Sequence, residues 1–391
     1  MKARRMILAL WAVLAVATPG FGQELPKWEP GRFAYVTAEA DSTLAVVDLG
    51  TEQITKTLPT GKRPHALVFA KEKGYVNNRG TRDLTVIDGN AFSVLKTIPL
   101  PATSWQLELS PGGKTLAVAY RDALALSLID TATDTIVKTI PVGKAPEKFT
   151  GAMMRHPYWS RDGKYVYVQD DVNNALLKIE ALTLQVATTL PLPGPNHYLH
   201  PTRDGRYLYA LNERTKGGIS ITVIEAATDR LVKEIPVPLE PGEPGNGHHG
   251  EFSEDGRFFY FCNMGGRTVA VIDTVKMEVV KALQAGAGAG HPKLAKDGKH
   301  IFVVAHKDNV VTVIDTARQE VAKHVPVGTG KEAAHTGYFT PDGRYFYMVN
   351  AEDNVINKID VARMEVVSRI PVGRQAMMMV VRHGLDVETG E

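Results

Sequence analysis

Short apolar stretches alternate with polar turns along almost the whole chain, and the alternation repeats as a unit. A first strand runs into a loop of the Pro-Asp-Gly-Arg type, and an aromatic and β-branched second strand follows. After a polar turn comes a third strand ending in Ile-Asp or Ile-Glu, then a fourth ending in Ile-Pro-Val-Gly. The clearest copy begins at Pro341-Asp342-Gly343-Arg344, passes through Ile359-Asp360 and closes at Ile370-Pro371-Val372-Gly373. The acids that end the third strands are Asp48, Asp88, Asp130, Glu180, Glu225, Asp273, Asp315 and Asp360, spaced 40 to 50 residues apart. Eight units of about four short strands predict an all-β chain, an eight-bladed β-propeller of four-stranded antiparallel blades.

The two ends of the pattern predict how the ring closes. Phe33-Ala34-Tyr35-Val36-Thr37 reads as a second strand with no first strand before it, and the missing one stands at Gln375 to Val381. Blade one is therefore expected to be closed by both termini, which removes an open sheet edge. The expected layout is a leader at 1–22, a linker at 23–31, the propeller at 32–383 and a polar tail at 384–391.

Gly74-Tyr75-Val76-Asn77-Asn78 and Phe33 to Thr37 resemble the YVTN propeller repeat. The eight-blade count, the terminal closure and the polar tail from Arg382-His383-Gly384-Leu385 to Glu391 are similar to the cytochrome d1-haem domain and to haem d1 biosynthesis proteins of the NirF type. That resemblance implies a haem d1-type tetrapyrrole as ligand and a place in the maturation or function of a respiratory reductase. Its enzymatic form is an oxidoreductase acting on a haem d1 precursor.

Composition and address narrow the field. Lys2, Arg4 and Arg5 precede an apolar run and the small residues of Thr18-Pro19-Gly20-Phe21-Gly22, the order of a secretory leader. A periplasmic or secreted protein without a membrane anchor is expected. With 45 Lys and Arg against 43 Asp and Glu, three of the bases in the leader, no electrostatic case exists for nucleic acid. Cys262 is the only cysteine and lies in an apolar strand pattern, so it reads as a core residue. No Cys-x-x-Cys-His occurs, so no covalent c-type haem is expected, and a redox partner such as a reductase or electron-transfer protein would be a separate chain.

Candidate chemistry emerges when the blades are aligned on the Asp-Gly turn that ends each first strand. At one slot stand Met377, His65, Trp105, Arg155, His197, His248, Gly290 and His335; one residue later stand Met378, Ala66, Gln106, His156, Tyr198, His249, His291 and Thr336. Seven of the twelve histidines fall in these slots, which predicts a crown around one channel mouth. His65, His156, His197, His248, His249, His291 and His335 are candidate metal ligands, because neutral imidazole binds copper, iron or zinc. Arg63, Arg155, Arg374, Lys144 and Lys331 enter by the same loops and suit the carboxylates of a tetrapyrrole. With His65, Trp105, His197, His248, His335 and Met377, the arginines form the candidate cofactor-binding set. The expected ligand is a metal-containing small molecule, a haem d1-like tetrapyrrole or copper itself. The other reading is a protein-interaction scaffold whose channel histidines only cap backbone or hold water. The loops from Gly143 to Arg155 and from Pro236 to Gly247 lead into the same face. The third-strand acids read as turn caps. Gly286-Ala287-Gly288-Ala289-Gly290 imitates a nucleotide loop but opens no helix.

Overall fold

The structure, a computed structural model, describes residues 25–143, 156–329 and 336–389. The leader, Lys144, Arg155, Lys331 and His335 lie outside the described residues.

Thr, Val, Ile and aromatic residues alternate with turn formers, and each repeat folds as an antiparallel four-stranded sheet. The third-strand acids act as caps. Asp130 Oδ1 accepts from the amides of Ala132 and Thr133 at 2.9 and 2.8 Å, and Asp48, Asp88 and Asp273 make the same bonds. The residue just before each fourth strand then takes a left-handed conformation, from Glu52 (φ 57°) to Met364 (φ 54°), although none of the eight is glycine. Such a tight turn with a bulge joins neighbouring strands at a fixed register.

Among the described residues, eight apolar clusters hold the sheets together, each built from two adjacent blades. One packs Val36, Ala45 and Met379 of blade one against Tyr347, Val349 and Ile356 of blade eight, so the ring is closed. The first strand of blade one is Ala376–Val381, paired antiparallel to Phe33–Ala38. A side-chain link reinforces the seam: Glu52 of blade one accepts from Lys358 Nζ at 2.8 Å and Ser368 Oγ at 2.6 Å of blade eight.

The tail does more than trail away. Val387–Thr389 adds a fifth strand to blade two, pairing with Val68 to Ala70 on the channel-side edge of the sheet. Arg382, 2% exposed, locks this segment. It donates to Asn90 Oδ1 at 2.7 Å and Lys71 O at 2.8 Å, pairs with Glu388 at 3.5 Å, and lies over Trp28 and Phe69. No helix among the described residues is long and apolar enough to cross a membrane.

Candidate functional site

A β-bulge at the aligned slot makes the crown. In blade five Asn196 pairs with Asn212 and Tyr198 with Leu211, so His197 is the extra residue. The same shift falls at His65-Ala66, Trp105, His248-His249, Gly290 and Met377-Met378. A bulge bends its strand and re-aims one side chain without disturbing the ladder beyond it. The blade before helps to hold it: Thr37 Oγ1, Asn77 Nδ2 and Gln169 Nε2 donate to the carbonyls of His65, Trp105 and His197 at 2.9, 2.9 and 3.3 Å.

The slots do not form one uniform ring. Five of the expected histidines, from blades four to seven, pack against one another. Ring centroids stand 4.7 Å apart for His156 and His197, 4.0 Å for His197 and His248, 4.5 Å for His248 and His249, and 4.4 Å for His249 and His291. All are buried, between 1 and 6% exposed. His197 Nδ1 is 2.9 Å from Glu213 Oε1. Burial, the largest influence, pushes the Glu213 carboxyl up, but the His197 hydrogen bond together with the charges of His197, Arg214 and His156 outweighs it and holds the carboxyl below the usual glutamate value. At His249, burial and then the neighbouring imidazoles drive the pKa well below the ordinary histidine value, so the ring is neutral. Its Nε2 is buried with no hydrogen-bond partner.

His65 belongs to a second arc, on blades one to three. Its Nδ1 is 2.7 Å from Glu39 Oε1, and its ring stacks on Trp105 at 6.0 Å. Burial and then the charge of Arg79 push its pKa well down. Trp105 in turn carries the guanidiniums of Arg79 and Arg121, 3.6 and 4.7 Å from its ring centre. Arg63 is largely exposed and pairs with Glu39 at 3.3 Å. Arg374 is also exposed, but both its backbone and its side chain donate to Asp41, at 2.6 Å each, which makes it a turn brace at the rim. Met377 is half-buried at the bulge, whereas Met379 points into the blade one–eight core.

Sequence alignment on one slot missed a second one. In five blades a residue at or just after the end of the pairing of the second strand also reaches the crown: Glu39, Arg79, Arg121, Glu213 and His306 meet His65, Trp105, His197 or the imidazole cluster. His306 lies 5.3 Å from His248 and 5.1 Å from His291 and has a pKa lowered to about 4, first by burial. It occupies the space that blade seven leaves by having Gly290 at the slot, where a Cβ would lie 2.2 Å from the His306 ring. The Gly286 to Gly290 run links two strands, Glu278–Gln284 and Ala289–Leu294, as its context predicted. The Pro236 to Gly247 loop is built onto blade six, where Glu243 accepts from Thr268 N at 2.8 Å and Asn246 N donates to Asn263 Oδ1 at 2.8 Å.

Beside the imidazoles lies a cavity of about 220 Å³, lined by Tyr158, Tyr198, His200, His249, Glu251, His291 and Lys293. Burial raises the Glu251 pKa. The space is smaller than the roughly 300–1,000 Å³ of pockets for drug-sized ligands.

Fold and site together define a closed eight-bladed propeller whose crown carries an imidazole arc on one side and an aromatic–cationic arc on the other. The family model described as Cytochrome D1 heme domain matches residues 108–296 and 296–383, more than half of the chain, and the protein belongs to that family. Among solved structures, "Dihydro-heme d1 dehydrogenase NirN in complex with DHE" is similar, with a TM-score of 0.75 at 20% identity over 92% of this chain and 77% of that one. Kuenenia stuttgartiensis hydrazine synthase aligns with a TM-score of 0.54 at 17% identity, over 73% of this chain and 94% of that one. A functionally unknown protein from Desulfotomaculum acetoxidans DSM 771 aligns at 0.54 and 10% identity, over 88% and 99%. No curated protein matches in sequence.

Proposed function

We propose that this protein binds a d1-type tetrapyrrole across its crown face, on the arc formed by blades one to three. The observation that carries the reading is Trp105 flanked by Arg79 and Arg121 beside the Glu39-backed His65, in a chain of the cytochrome d1 haem domain family. A planar macrocycle stacks on an aromatic–guanidinium surface, and its carboxylates pair with arginine. Arg63 and Arg121 are the residues that would hold those carboxylates. His65, with Nδ1 committed to Glu39, would offer Nε2 to the iron, the carboxylate–histidine arrangement of many metal ligands. The bound group would supply redox chemistry; the chain's own residues orient it and exclude water.

The leader motif supports export, so the ligand would be carried outside the cytoplasm in the maturation or function of a respiratory reductase, the expected partner. NirN, the structural neighbour, is a dihydro-haem d1 dehydrogenase, and an oxidoreductase acting on a haem d1 precursor is the enzymatic form of the proposal.

Absorbance titration of the purified protein with haem d1 tests it. Saturable binding is expected, weakened at least tenfold by Trp105→Ala or Arg121→Ala, with the iron's absorption bands changed by His65→Ala, each variant being titrated at a temperature where its own melt shows it folded. If haem d1 at micromolar concentration leaves the spectrum additive, the reading fails and the interaction-scaffold alternative takes its place.

A further inference from the structure

We propose that the imidazoles of blades four to seven bind one first-row transition-metal ion, copper(II) most tightly, in two alternative histidine triads that share His249. One ligand atom each from His156, His197 and His249 lie within 4.8 Å of one another, and so do those of His248, His249 and His291. The five rings come from four blades and are buried, so their convergence is a product of the bulges and not of chance on a surface. His249, whose Nε2 is buried and without a hydrogen-bond partner, belongs to both triads. An unmet buried polar atom is destabilising, and a metal–nitrogen bond removes that cost. The Glu213 carboxylate on His197 fixes that ring's orientation from behind.

An all-imidazole set excludes calcium and magnesium, which require oxygen, and copper(II) heads the divalent affinity order for nitrogen ligands. Metal–nitrogen bonds of about 2.0–2.1 Å draw a triad's rings inward by on the order of 1 Å. Because His249 serves both triads, occupation of one empties the other, and the stoichiometry is one ion per chain. The site is separate from the tetrapyrrole arc and is tested with metal alone.

The test uses the tag-free protein, stripped with a chelator and titrated with copper(II) by calorimetry and by electron paramagnetic resonance. Wild type is expected to bind one ion with nitrogen hyperfine coupling. His156→Asn and His291→Asn each keep that stoichiometry with at most tenfold weaker binding, since either triad survives. His249→Asn, and the double variant His156→Asn/His291→Asn, lose at least a hundredfold. His300→Asn, whose ring bonds Asp297, and His324→Asn, whose ring bonds Thr312, change nothing. Melting is followed alongside, and the double variant, which keeps His249, carries the test if His249→Asn fails to fold. Copper bound without nitrogen coupling, two tight ions per chain, or a folded His249→Asn or double variant that binds like wild type overturns the proposal.

Discussion

Deleting residues 374–391 should abolish the folded state. The deletion removes Ala376–Val381, the inner strand of blade one, in which Met378, Met379, Val380 and Val381 are at most 5% exposed. At about 1.5–3 kcal/mol for each large apolar side chain, their burial supplies about 6–12 kcal/mol. A native domain has only about 5–15 kcal/mol of net stability, so the loss consumes most or all of it. The cut also strips the ladder partner from Phe33–Ala38 and opens the core shared with blade eight. Circular dichroism, thermal melting and gel filtration should show an aggregating chain with no cooperative transition. A synthetic peptide of residues 374–391 added during refolding should restore a compact monomer. A truncated protein that is monomeric, melts as the full chain does and ignores the peptide would refute the closure and the ledger behind it.

Glu388→Ala leaves the buried Arg382 without its ion-pair partner, and stability measured in urea should fall by about 3 kcal/mol. Gly290→Ala should displace His306 and destabilise by about 1–3 kcal/mol, while Gly112→Ala, where a Cβ meets nothing, should be neutral in the same melt. The Glu52 carboxyl is held below its usual value, chiefly by the Lys358 hydrogen bond and then by Ser368. Its contribution is therefore present above the unfolded-state glutamate pKa and is lost as pH falls through the folded one. Glu52→Gln should cost about 1 kcal/mol at pH 7, and the gap between its melting temperature and wild type should close toward pH 3. Cys262, fully buried with its thiol pKa raised by burial, should give a stability independent of added reductant, and Cys262→Ala should cost about 1–2 kcal/mol.

Repetition made the fold legible. Eight copies of a turn acid, six capping the amides that follow and two, Glu180 and Glu225, accepting from a threonine hydroxyl three residues on, announce the blades, and the orphan second strand at Phe33 announces the closure before any contact is known. Crown residues were legible for the same reason, because a bulge at one slot in every full first strand preserves alignment. The division into two arcs was not legible: it depends on which side chain at the second-strand exit meets which slot, as Glu39 meets His65. His306 escaped because the alignment recorded only the glycine beneath it, and an empty slot carries no signal of what fills it. Arg374 matched the slot's loop but is taken up by Asp41 next door, a local pairing that spacing along the chain does not express. The polar composition of the tail concealed its last strand, whose partner lies more than 300 residues earlier.

The only joint in the ring made without covalent continuity lies within blade one, and in a ring of eight the blade facing it is the fifth, which carries His197. Any breathing of the protein short of full unfolding should begin where Ala376–Val381 peels from Phe33–Ala38, because no peptide link restrains that pair. The imidazole arc sits at the greatest distance around the circumference from that weak point. Amide exchange should therefore be fastest at the seam and slowest through blades four to six, so the latch can rattle while the histidines opposite keep their spacing.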